Sequence, residues 1–104
     1  MKPGTGRVFL FDHGARIIYS NEDSALIRHI VIAHELGHVI LHTAALPTIT
    51  KRMEIEATYY AEEVTKRLVR ENYHGNFFFS DEAIRDAVLI TCPNYNPDIL
   101  DEDE

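Results

Sequence analysis

The apolar segment IAHELGHVILH at residues 32–42 contains three histidines and a glutamate, namely His34, His38, His42 and Glu35. Residues four apart lie on one face of an α-helix, so the imidazoles of His34 and His38 can bind one metal ion. Glu35 lies about 100° further round the helix, where its carboxylate can take a proton from a water molecule that the metal activates. This spacing predicts a zinc-dependent hydrolase with two histidine ligands and Glu35 as general base.

A catalytic zinc site usually has three protein ligands and one open position, so a third ligand must come from elsewhere in the chain. Residues 51–72 have helical periodicity and contain several glutamates. The apolar stripe of this helix consists of Met53, Ala57, Tyr60, Ala61, Val64 and Leu68. Glu56 and Glu63 border the stripe on one side. Glu54 leans off its other edge, and Glu62 points to the opposite face. We therefore predict Glu56 as the third ligand, with Glu63 as the alternative.

Two strands are predicted before the metal-binding helix and two further helices after it. Residues 7–20 contain two apolar runs around a glycine-containing turn, which is typical of a β-hairpin. Residues 22–42 are predicted to form a helix that is apolar on nearly every side and therefore buried, and Gly37 within it indicates close approach by another element. Further helices are predicted over residues 51–72 and after Ser80, which is a suitable N-cap. This order of elements predicts an α+β fold.

The chain of 104 residues is long enough for one small domain. We predict that this domain covers residues 1–92. The last residues, 93–104, carry a concentration of acidic side chains and are predicted to be a flexible tail.

The formal net charge is −7 and the chain contains no block of Lys or Arg, so we expect no direct binding to nucleic acid or to acidic membranes. The single cysteine, Cys92, cannot form an intramolecular disulfide, and as a metal ligand it is a poor choice directly before a proline. The sequence shows no secretory signal and no apolar run long enough to cross a bilayer. We therefore expect a cytoplasmic protein.

The segment AHELGHVILH, followed by EATYYAEEV, resembles the ImmA/IrrE-type zinc metallopeptidases. In that family a helix with H-E-L-G-H, often extended by L-x-H, precedes a second helix with E-A-x-x-F-A. Glu56, Ala57, Tyr60 and Ala61 take the places of the second motif, with Tyr instead of Phe. The resemblance covers roughly residues 30–64. It implies a zincin-like α+β fold with a small β-sheet packed against the active-site helix and a second, ligand-bearing helix.

The same resemblance implies that His34, His38 and Glu56 hold Zn²⁺ and that Glu35 is the catalytic acid and base. Members of the family typically cleave a transcriptional repressor or activate a stress response, often alongside a DNA-binding partner. We therefore predict a zinc-dependent metallopeptidase that acts on a protein substrate, in particular a transcriptional regulator. The alternative is a zinc-stabilised, catalytically inactive interaction module, because the family's extra helix before the strands has no counterpart in this sequence.

Two further roles are left open by the sequence. Tyr59, Tyr60, Tyr73 and His74 are all candidates for the donor that stabilises the oxyanion of a tetrahedral intermediate. His42, one turn beyond His38, is interpreted as a structural residue that bonds near the C-terminal carbonyls of its helix.

Overall fold

The computed structural model describes residues 4–11, 14–20, 23–45, 48–71 and 79–101. Strands β1 (Gly6–Phe11) and β2 (Gly14–Tyr19) form an antiparallel hairpin in which Gly6 pairs with Tyr19 and Phe11 with Gly14. Helices α1 (Ala25–His42), α2 (Lys51–Glu71) and α3 (Asp81–Thr91) follow. Short 3-10 helices cover Thr43–Ala45 and Pro97–Asp101. The predicted α+β fold is confirmed.

Side-chain caps fix where the three helices begin. The hydroxyl of Ser24 accepts the amide N–H of Ile27, so α1 begins three residues later than predicted. Thr50 accepts the amide N–H of Met53 at the start of α2. Ser80 accepts the amide N–H of Ala83 and confirms the predicted cap of α3. Each cap satisfies one of the amide groups that a helix leaves unpaired in its first turn.

The core lies between the three helices and is built from one apolar face of each. Its buried residues are Leu26, Ile30, Ile55, Ile84, Ala87, Val88 and Tyr95. The outer face of α1 is different, because Leu36, Ile40 and Leu41 are exposed. The prediction that α1 is buried all round is therefore wrong for this outer face. Within the part of the chain that the structure describes, no helix is long and apolar enough to cross a membrane.

The C-terminal residues pack against the helices instead of leaving them. Tyr95 is buried in the core, and Ile99 and Leu100 cover its edge. The Arg52 guanidinium also donates to the carbonyl oxygens of Ile99 and Leu100. Residues 93–104 were predicted from their acidic composition to be a flexible tail, whereas three spaced apolar side chains within 95–101 contact the core. Residues 102–104 lie outside the described residues.

Helices α1 and α2 approach each other closely at Gly37, as the place of this glycine in an apolar helix predicts. A Cβ atom at this position would lie 3.2 Å from both Cα and the carbonyl oxygen of Ala57, and 3.1 Å from Cδ2 of Tyr60. Small residues on both helices permit this contact. The closeness matters for function because α1 and α2 together carry the polar cluster described below.

Gly37→Ala is expected to destabilise the protein by ~1–2 kcal/mol, even though alanine is the better helix former. The reason is that the added methyl group meets the backbone of α2, which cannot rotate away as a side chain can. Urea unfolding followed by circular dichroism measures the change. Gly14→Ala is the matched control, because a Cβ atom there meets nothing within 4 Å. A Gly37→Ala protein at least as stable as wild type would contradict the close contact.

Candidate metal centre

His34 and His38 lie one turn apart on the face of α1 that meets α2. Both side chains are buried, with 5 % and 3 % of their surface exposed. The two rings contact each other edge to face, with centroids 4.8 Å apart. The Nε2 atoms of both imidazoles point to the same place between the helices, as the four-residue spacing predicts.

The third group at this place is Glu54, in the first turn of α2. Its Oε1 atom lies 2.8 Å from Nε2 of His34 and 3.1 Å from Nε2 of His38. One ligand atom from each of the three residues lies within 4.8 Å of the other two. The carboxylate also benefits from its position, because the first turn of a helix favours negative charge.

The structure places Glu56, the predicted third ligand, beside His42 and outside this cluster. Its Oε1 atom lies 2.8 Å from Nε2 of His42, and its Oε2 atom faces Arg52. The fallback residue, Glu63, is exposed and pairs with Lys66. The structure therefore brings together His34 and His38 as predicted, but with Glu54 in place of Glu56.

The physical reason is the rotation of α2 about its own axis. The buried face of α2 combines one large apolar residue, Ile55, with small and polar residues: Ala57, Thr58, Ala61, Glu62 and Thr65. Leu68, assigned to the inner stripe, is exposed. Glu54 lies one turn before the buried Thr58 and so enters the helix interface. Gly37 could have indicated which face of α2 meets α1, because a glycine at a helix contact favours small residues at the same contact on the second helix.

Thr58 decides which ring nitrogen of His34 carries the proton. The Thr58 hydroxyl donates to the backbone carbonyl oxygen of Glu54 at 2.8 Å, and its oxygen lies 2.9 Å from Nδ1 of His34. The hydroxyl proton is thereby used, so Nδ1 of His34 must be the donor in this second bond. A neutral His34 therefore presents a lone pair at Nε2, directed at the centre of the cluster. No pattern in the sequence predicted this role for Thr58.

This arrangement fits a metal ion by the chemistry of its donor atoms. Imidazole nitrogen and carboxylate oxygen are the ligands that zinc takes in hydrolases. Three acceptor atoms facing one another repel unless a cation lies between them. Where a proton and not a metal ion lies between these atoms, hydrogen bonds from His34 and His38 hold the pKa of Glu54 well below its usual range. Metal and protons therefore compete for the same atoms.

Glu35 lies beside this cluster and is buried. Burial raises its pKa above the usual value for a glutamate, while His34 and His38 act in the opposite direction and Glu54 adds to the rise. Strand β1 passes directly over it, because a Cβ atom at Gly6 would lie only 3.3 Å from Cγ of Glu35. The hairpin thus forms one wall around the carboxyl group that lies next to the candidate metal ligands.

Two of the four candidate oxyanion donors lie among the residues that the structure describes. Tyr59 is exposed, and Tyr60 packs its ring against Gly37 between the helices. Tyr73 and His74 lie outside the described residues. Cys92 is a free, half-buried thiol at the end of α3.

An α+β fold in which a hairpin and a second helix enclose an H-E-x-x-H helix defines a metallopeptidase-like domain. The model of the IrrE N-terminal-like domain, a peptidase family, matches residues 1–84. The chain therefore belongs to the IrrE N-terminal-like domain family, as the resemblance of its two motifs predicted. Comparisons with curated proteins and with solved structures gave no match.

Proposed function

We propose that the protein is a zinc-dependent peptidase that hydrolyses a peptide bond in a protein substrate. The observation that carries this proposal is the convergence of His34, His38 and Glu54, with Glu35 beside them, in a chain of a peptidase family. The proposed substrate is a transcriptional regulator, which follows from the resemblance to ImmA/IrrE-type peptidases. We also propose that the enzyme acts in the cytoplasm.

His34, His38 and Glu54 would hold the zinc ion. When bound, zinc supplies a Lewis acid that polarises a peptide carbonyl and makes water more acidic. Glu35 takes the proton of the attacking water on its carboxylate and returns it to the amide nitrogen of the leaving group. The wall formed by β1 keeps this carboxyl group partly shielded from bulk water, which strengthens its interactions with neighbouring charges.

The hairpin offers an edge along which an extended substrate can lie. Among the described residues, β2 pairs only with β1, so its other edge has free backbone donors and acceptors. Ile18 and Tyr19 are exposed on this strand and can contact substrate side chains. Addition of a peptide strand to a sheet edge gives affinity through main-chain hydrogen bonds and selectivity through alternate side chains.

Glu35→Gln is expected to abolish cleavage, with a loss of at least ~100-fold, and to leave zinc binding intact. Glutamine keeps the size of the side chain but cannot accept and return the proton. The zinc-loaded full chain is incubated with a mixture of unstructured proteins, and new peptide termini are identified by mass spectrometry. Glu63→Gln is the control, because this exposed carboxylate lies outside the metal centre.

The same experiment distinguishes the peptidase from the alternative of an inactive interaction module. New termini that depend on Glu35 support the peptidase. Cleavage by Glu35→Gln at the wild-type rate would show that the proposed acid–base residue is wrong. A wild-type protein that binds zinc and becomes more stable, but produces no new termini, would favour the interaction module.

A further inference from the structure

A chain of side-chain contacts leads from the candidate metal ligand His38 to the surface of α2. Nδ1 of His38 lies 3.0 Å from Nδ1 of His42, and Nε2 of His42 lies 2.8 Å from Oε1 of Glu56. Arg52 contacts the other oxygen of Glu56 at 3.5 Å. Both imidazoles are buried, whereas 36 % of the Glu56 side chain is exposed. The chain thus connects a buried ligand to a half-exposed carboxylate.

The position of each proton in this chain follows from the carboxylate at its end. An ionised Glu56 only accepts hydrogen bonds, so Nε2 of His42 must donate to it. A neutral imidazole has one N–H group, so Nδ1 of His42 is an acceptor. Nδ1 of His38 must therefore carry the proton between the two rings. This leaves Nε2 of His38 with a lone pair, directed at His34 and Glu54.

We propose that Glu56, acting through His42, positions His38 for metal binding without itself touching the metal. Without Glu56, His42 can move its proton to Nδ1, where it would oppose the N–H of His38. His38 then prefers the tautomer with its proton at Nε2, which cannot bind a metal. Partners that orient a histidine ligand typically contribute ten- to a hundredfold to metal affinity. The inference rests on the proposed metal site but not on peptide cleavage.

The affinity of the full chain for Zn²⁺, measured by competition with a chromophoric chelator, tests this role. Glu56→Ala is expected to bind zinc ~10- to 100-fold more weakly than wild type. Glu56→Gln is expected to remain within a few fold of wild type, because its amide oxygen can still accept the N–H of His42. Glu63→Ala removes an exposed carboxylate from the same helix and should bind as wild type does. Equal affinity of Glu56→Ala and wild type would overturn the proposal.

A double-mutant cycle separates positioning from a general structural effect. If Glu56 acts through His42, then His42→Ala and the double variant should bind zinc with the same affinity within about twofold. If the two substitutions acted independently, their fold losses of zinc affinity would multiply in the double variant. That result would also overturn the proposal. Glu56 is half-exposed, so the Ala and Gln variants at this position decide the question even where His42→Ala does not fold.

These measurements need no substrate, which separates this inference from the proposed activity. Zinc binding that depends on Glu56, together with an absence of cleavage, would support the positioning role and overturn the peptidase. Zinc binding that ignores Glu56, together with cleavage, would do the reverse. A wild-type chain that binds no zinc would overturn both.

Discussion

Glu54→Ala is expected to weaken zinc binding by roughly 100- to 1,000-fold. A structural zinc site contributes about 10–16 kcal/mol, so one ligand among several accounts for about 3–4 kcal/mol of binding free energy. The variant also leaves the imidazoles of His34 and His38 without the carboxylate that lies within 3.1 Å of both. Competition with a chelator gives the affinity, and elemental analysis of the purified protein gives the zinc content.

Glu56→Ala is the discriminating comparison for this result, because the two glutamates are neighbours with the same chemistry on the same helix. Loss of Glu56 is expected to weaken binding less, by ~10- to 100-fold, and to leave one zinc per chain at saturation. A larger loss of zinc affinity for Glu56→Ala than for Glu54→Ala would contradict the arrangement of α2. It would support Glu56 as the third ligand.

The difference between these two glutamates marks the limit of prediction from sequence. His34, Glu35 and His38 belong to one helical turn, so their relative positions are fixed by local geometry and were predicted. The hairpin is also local, because only two residues of the sequence separate its strands. The face of α2 that meets α1 depends on packing between distant segments, and the predicted apolar stripe identifies that face only in part. Leu68 is exposed, while the small Ala57 and Ala61 are buried.

Glu62 was misplaced for the same reason. Helical periodicity assigned it to the face opposite the predicted apolar stripe, yet only 1 % of its surface is exposed. A buried carboxylate is tolerated only with partners, and these come from α3 and from the segment after it. Arg85 and Tyr95 lie more than twenty residues away from Glu62 in the sequence. No local pattern could predict that these groups meet.

Glu62→Ala is expected to destabilise the protein by about 3 kcal/mol. Arg85 donates to both carboxylate oxygens of Glu62, with Nε 2.6 Å from Oε2, and the hydroxyl of Tyr95 donates to Oε1 at 2.8 Å. Without the carboxylate, the Tyr95 hydroxyl is left in the core with no acceptor. Arg85 loses less, because 44 % of its side chain is exposed and water can replace its partner. Glu63→Ala, one residue along the helix, is the exposed control and should change stability by no more than ~0.5 kcal/mol.

The pH dependence of this loss separates the charged contact from simple packing. Burial opposes ionisation of Glu62, but hydrogen bonds from Arg85 and Tyr95, together with Lys66, outweigh it and lower the pKa of Glu62 below its usual value. A depressed folded-state pKa gives stability that is present above the unfolded-state pKa of ~4.3 and lost as the pH falls through the folded value.

Burial and the bond to Glu62 raise the pKa of Tyr95, so the contribution of Tyr95 to stability is complete below the unfolded-state pKa of ~10 and lost only above it. Urea unfolding of wild type and Glu62→Ala should therefore differ by a constant free energy between about pH 5 and pH 9, and by less on the acid side. A difference that stays constant down to pH 3 would show that Glu62 stabilises the core by its shape and not by its charge.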